Sequence, residues 1–137
     1  ATVIHPQIEI KTADSRRILK SNLSLKDAIT QWGNVGGLVA GLYREDYELI
    51  GRSLQDVVIE PVRSILIPGF NEIKEAALNA GALGGGISGS GPSVFALSKG
   101  KDKALKVADA MRHAYEPFGI SFDIHISNIN EKGVYPA

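Results

Sequence analysis

Three side chains and one short run are suited to chemistry on a small anionic molecule. Arg16 follows Thr12 by one helical turn, so on a helix their side chains share a face and can point at a common ligand. Arg63 follows the Glu60-Pro61 break, near a helix start. A guanidinium suits carboxylate or phosphate because its planar fork binds two oxygens at once. The competing reading makes both arginines surface residues, with Arg63 paired to Asp56 or Glu60. The run is Gly84-Gly-Gly-Ile-Ser-Gly-Ser-Gly91, in which five of eight residues lack a side chain. Glycine loses more backbone freedom on folding than any other residue, so such a cluster needs a compensating reason. Positive φ angles, or close approach of a backbone or an anion, supply one. A plain turn needs fewer glycines, which favours a functional loop.

Known glycine motifs narrow the chemistry. Gly84-x-Gly86-x-x-Gly89 matches the dinucleotide string, but that fingerprint must follow a strand and open a helix. Here Pro92 and the apolar run Ser93-Val-Phe-Ala-Leu97 follow instead. A phosphate loop of the Walker type needs Lys-Ser/Thr after its last glycine, where this chain has Pro92-Ser93. Gly86-Ile-Ser-Gly89 fits the short loop of an RNA-binding KH module, yet no Lys or Arg lies between Leu78 and Ser98 to hold a nucleic-acid backbone. What survives is a neutral glycine loop with hydroxyls at Ser88 and Ser90, entering a strand. His5, His113 and His125 do not fall at metal-ligand spacing. Ser88-Gly-Ser-Gly91 lacks the strand-to-helix context of a nucleophile elbow.

Composition sets outer bounds. The 137 residues suffice for one domain with a real core. Lys plus Arg equals Asp plus Glu at 15 each, which argues against nucleic-acid binding through bulk charge. No cysteine is present, which excludes disulfides and thiol nucleophiles and fits a reducing, cytoplasmic setting. No apolar run reaches the roughly 18 residues of a membrane-spanning helix.

The elements that must position these residues are readable from periodicity. Ile4, Ile8 and Ile10 share a parity and predict a half-buried strand, which Pro6 marks as an edge or a bend. The chain starts almost inside this strand, as a domain cut from something longer would. Thr12 is expected to cap a short helix over 14–19. Ser24 opens a long helix to about Tyr43, with Gly33, Gly37 and Gly41 on one face for close packing against a neighbour. Tyr47, Ile50, Leu54 and Val57 predict an amphipathic helix. Pro61 starts a short helix through Leu66, and another runs from Asn71 to Asn79, closed by Gly81. Strands flank the glycine loop, the second spanning Ser93 to Ser98. Ala104, Ala108, Met111 and Tyr115 mark a further helix. Phe122, Ile124 and Ile126 alternate with Asp123, His125 and Ser127 in a final strand. Together these predict an α+β fold, with helices packed on one face of a mostly antiparallel sheet.

Three segments taken together resemble the homoserine kinases of the GHMP kinase superfamily. They are Thr12-Ala-Asp-Ser-Arg16-Arg-Ile-Leu19, Asp56-Val-Val-Ile-Glu60-Pro-Val-Arg63 with Ile67-Pro-Gly-Phe70, and Gly86-Ile-Ser-Gly-Ser-Gly-Pro-Ser-Val-Phe-Ala-Leu97. The resemblance covers nearly the whole chain. It implies the ferredoxin-like C-terminal domain of such an enzyme over residues 1–137, and ATP-dependent phosphorylation of the L-homoserine hydroxyl on the way to threonine. By the same resemblance Arg16 and Arg63 bind the homoserine carboxylate. Thr12 lies near the transferred phosphate, and the loop of Gly86, Ser88, Gly89, Ser90 and Gly91 supports the nucleotide phosphate loop. Lys20 departs from the family's frequent proline. The superfamily's own Gly-Leu-Gly-Ser-Ser phosphate loop is absent, as is the carboxylate that holds Mg²⁺.

The expected partners are therefore L-homoserine, ATP with Mg²⁺ and the N-terminal half of the same enzyme. A homodimer stays open, and neither nucleic acid nor membrane is expected. This chain by itself is expected to be inactive. The alternative is a non-catalytic amino-acid-binding α+β sensor module, for which the glycine loop and arginines would serve a carboxylate equally well.

Overall fold

A computed structural model describes residues 1–130 and 132–133. Four strands make one antiparallel sheet in the order β2-β3-β1-β4. They are β1 (Thr2–Pro6), β2 (Gly84–Ile87), β3 (Val94–Leu97) and β4 (Phe122–Ile126). Helices α5 (Phe70–Asn79) and α6 (Lys101–Tyr115) connect and cover them. The strand–helix–strand–strand–helix–strand sequence with β1 and β2 split by β3 is the ferredoxin-like arrangement.

The core forms because alternating positions of the strands face these two helices. Ile4, Val94 and Ala96 present one face, and Ile73, Val107 and Met111 meet them from α5 and α6. Burying an aliphatic side chain of this size contributes roughly 1.5–3 kcal/mol. Tyr115 closes the core, stacked with Phe118 and edge-on to Phe122.

Four further helices fill the long connection between β1 and α5. They are α1 (Thr12–Arg17), α2 (Leu25–Arg44), α3 (Tyr47–Ser53) and α4 (Glu60–Arg63), the last continued by a 3-10 turn over Ser64–Leu66. The Ser24 side chain caps α2 by accepting from the Asp27 N–H, as its sequence predicts. Gly37 and Gly41 of α2 let α3 approach, and a Cβ on Gly41 would lie 3.0 Å from the Ile50 backbone nitrogen. Gly33 faces open space, so the glycine stripe serves close packing at two of its three positions.

Several expectations need correction. The first strand ends at Pro6, and Ile8 and Ile10 lie beyond it. β1 is interior rather than an edge. Pro6 is tolerated because β3 pairs only as far as Ile4, leaving β4 alone beside the proline. Thr12 does not cap α1; Lys11 holds that position, and no side-chain cap bond forms. Helix α3 stops at Ser53, so Val57 is outside it. Gly84, Gly85 and Gly86 belong to strand β2 rather than to a loop.

Candidate functional site

Three segments far apart in sequence meet at the bend between β2 and β3. Arg63, at the end of α4, donates from Nε to the Ser15 carbonyl at 3.2 Å and from Nη1 to the Gly89 carbonyl at 3.2 Å. Ser15 of α1 is fully buried, and its hydroxyl donates to the Ser90 carbonyl at 3.3 Å. One arginine and one serine therefore tie α1, α4 and the bend together. Arginine carries five N–H donors, so two bonds leave the rest of the fork available to a ligand. Arg63 is paired with neither Asp56 nor Glu60. The Asp56 carboxylate instead accepts from the Val58 and Ile59 N–H groups, shaping the entry to α4.

Glu60 explains why α4 sits where it does. Its carboxylate forms an ion pair with Lys74 of α5, both side chains being largely buried. The same carboxylate abuts Gly86, where a Cβ would lie 2.7 Å from Oε2. Glu60 is one turn before Arg63, so anchoring the first aims the second at the bend.

The bend itself is a tight turn. The Gly91 N–H donates to the Ser88 carbonyl at 3.1 Å and the Ser88 N–H to the Ser93 carbonyl at 2.8 Å. Gly89 and Gly91 take φ of 63° and 84°, which L side chains rarely adopt. The carbonyls of Gly89 and Ser90 are held by Arg63 and Ser15, whereas their N–H groups take no protein partner among the described residues. Unpartnered backbone N–H groups at a bend suit an anion. His5 and Ser93 share a hydrogen bond of 2.8 Å that fixes the far side of the turn.

Thr12 and Arg16 lie on α1, exposed, with no side-chain hydrogen bond or ion pair among the described residues. Arg16 follows Ser15, whose carbonyl Arg63 grips, so both guanidinium-bearing segments border the bend. A cavity of about 220 Å³ adjoins this region, lined by Gln31, Asn34, Glu60, Gly86, Gly89 and Phe95 among others. A second hollow of about 450 Å³ lies at the opposite end of the sheet, between Leu83, Lys99 and Ile126, and shares no residue with the site. Among the described residues no three His, Asp or Glu side chains gather as a metal site would require. Ser15, Glu60 and Lys74 escaped the sequence reading as working parts. Nothing local distinguishes a buried helical serine from an exposed one.

Residues 38–117 match the family described as GHMP kinases C terminal. The chain belongs to that family. Among curated members it is 53% identical over 133 residues to the homoserine kinase of Chloroherpeton thalassium, covering 96% of this chain and 42% of that protein. It is 52% identical over 134 residues to the homoserine kinase of Chlorobaculum tepidum, covering 96% and 41% respectively. The crystal structure of a homoserine kinase from Cytophaga hutchinsonii superposes with a TM-score of 0.93 at 53% identity, over 95% of this chain and 41% of that one. A Streptococcus pneumoniae phosphomevalonate kinase, 17% identical with a TM-score of 0.55, shares the fold. This GHMP kinase domain thus spans about two fifths of the length of the relatives it matches. No helix among the described residues is long and apolar enough to cross a membrane.

Proposed function

We infer that residues 1–137 form the C-terminal domain of an ATP-dependent homoserine kinase and supply the part that holds the acceptor. The observation that carries this reading is the single arginine, Arg63, gripping α1 and the glycine bend at once. Its free fork and the exposed Arg16 suit an amino-acid carboxylate from two sides. Thr12 lies one turn before Arg16 on α1, where its hydroxyl can face the same acceptor. The bend's unpartnered N–H groups suit the neighbourhood of a phosphoryl group. The product on this reading is O-phospho-L-homoserine, made in the cytoplasm for threonine synthesis.

Phosphoryl transfer is catalysed chiefly by positioning and charge stabilisation, which requires a phosphate cradle and Mg²⁺ together. The described residues of this chain do not fit Mg²⁺, because their carboxylates do not cluster. The ligands for Mg²⁺ and most contacts to ATP are assigned here to the additional length that the relatives carry. The sensor alternative is not favoured, because relatives named homoserine kinase match 96% of the chain.

The test is to join this chain to the missing N-terminal part and follow phosphate transfer from ATP to L-homoserine. Turnover is expected from the joined protein and none from the 137 residues alone. Activity of the short chain by itself would refute the division of labour. Turnover only on another alcohol would refute the substrate.

A further inference from the structure

Helix α4 carries Arg63, yet little packing fixes where it lies. It spans only Glu60–Arg63, and none of its residues is buried in the core. Its two end residues make the ties that hold it. Arg63 reaches the Ser15 and Gly89 carbonyls, and Glu60 reaches Lys74. Ser15 and Gly89 belong to the segments that Arg63 itself ties together, so neither is an independent reference. Lys74 is one. It belongs to α5, whose Phe70, Ile73 and Ala77 are buried in the core. Its ammonium also lies 5.9 Å from the centre of the Phe70 ring, within cation–π range.

Strand β2 gauges the Glu60 carboxylate from a second side, through the absent side chain of Gly86. Glu60 and Arg63 are three residues apart, about one helical turn, and so are Gly86 and Gly89 in sequence. The turn of α4 therefore lies along the end of β2 and the bend, Glu60 against Gly86 and Arg63 against Gly89. The tolerance is small. Both Arg63 bonds, at 3.2 Å, are already at the long end of the N–H···O range.

We propose that Lys74 and Glu60 are positioning residues for acceptor recognition, their ion pair fixing α4 so that the Arg63 fork faces the acceptor. This rests on the reading of Arg63 as a ligand of the acceptor's carboxylate. Both residues act through Arg63, and Lys74 makes no bond with α1 or the bend among the described residues. A buried ion pair adds little net stability, because desolvation offsets its attraction. What this pair supplies is direction. Misplacing a positioned group by about 1 Å can cost on the order of 100-fold, so a partial displacement of Arg63 is costly too.

Steady-state kinetics of the protein completed to the length of its relatives, with L-homoserine and ATP varied separately, test the pair. Lys74→Met should raise the homoserine KM about 10-fold, with kcat and the ATP KM changed less than about 2-fold. Gly86→Ala keeps both charges but crowds the pinned Glu60 carboxylate, and should raise the same KM about 3-fold or more. Lys74→Met leaves a largely buried carboxylate unpaired, so a second variant guards against misfolding. Glu60→Leu with Lys74→Met removes both charges and should melt like the unaltered protein, while its homoserine KM stays raised. In an Arg63→Ala background none of these changes should raise the KM further, whereas a merely structural role would add to the loss. An unaltered KM in the double variant would overturn the proposal, because packing alone would then locate α4. Additive losses in the Arg63→Ala background would overturn it as well. If Arg63→Ala itself leaves the homoserine KM unchanged, the reading of Arg63 fails and the proposal with it. If Arg63→Ala raises the KM but the Lys74 and Gly86 variants do not, the proposal alone fails.

Discussion

The two halves of the glycine run do different work. Gly84, Gly85 and Gly86 form a strand and are bare because neighbours crowd them. Leu54 lies against the first, the β3 backbone against the second and the Glu60 carboxylate against the third. Gly89 and Gly91 sit in the bend with positive φ, and Gly89 has open space around it. The first half is about packing and the second about backbone direction. A glycine-rich string therefore does not denote one property, and only its last residues form the bend of the candidate site.

Substitutions can separate the halves, and the largest expected effect tests the bend through its strap. In the completed enzyme Arg63→Ala should weaken L-homoserine binding by about 2–4 kcal/mol, read as a raised KM. Arg16→Ala should also raise KM while leaving thermal stability unchanged, because the Arg16 side chain bonds to no other described residue. Equal losses of stability from both arginines would break the contrast. Gly85→Ala comes next, since its Cβ would overlap the β3 backbone. About 1–3 kcal/mol of stability should be lost in denaturant melts, whether or not ligand is present.

Smaller effects sharpen the same contrast. Gly89→Ala should cost about 1–2 kcal/mol through its φ alone, and Gly89→Asn should recover part of that, because asparagine tolerates this region. A cost at Gly89 that Asn leaves unrelieved would mean that packing, not direction, governs the bend. Ser15→Ala should cost about 1 kcal/mol by freeing the Ser90 carbonyl, and it should loosen the bend in hydrogen exchange.

Tyr115, remote from the bend, supplies a control. Its hydroxyl is buried without a partner among the described residues, and burial raises its pKa above the usual tyrosine value. The folded chain therefore keeps this proton to higher pH than the unfolded chain does. Stability should fall as pH rises past the ordinary tyrosine range, and Tyr115→Phe should flatten that fall. At neutral pH the same change should be neutral or stabilising by up to about 1 kcal/mol, because no hydrogen bond is lost.

Much of the scaffold was legible from local pattern. Strict alternation at Phe122, Ile124 and Ile126 marks β4, the Ser24 cap marks α2, and Ala104 to Tyr115 mark α6. Strand β2 was expected before the glycine loop but could not be placed, because three consecutive glycines carry no side chain that could show a period. Ile8 and Ile10 misled, since their parity continues past the point where Pro6 ends pairing. The convergence of Arg63, Ser15 and the bend rests on contacts 26 to 75 residues apart, which no local rule encodes. The Glu60–Lys74 pair was hidden for the same reason.

The chain leaves the sheet after Pro6 and rejoins it only at Gly84, although α5 alone would bridge those strands. Residues 8–69 are in that sense an excursion grafted onto a minimal six-element frame. Thr12, Arg16 and Arg63 all ride on it, while the frame contributes only the bend. On the proposed reading of the site, a lineage could alter this domain's share of acceptor recognition within the excursion, leaving intact the frame on which folding depends.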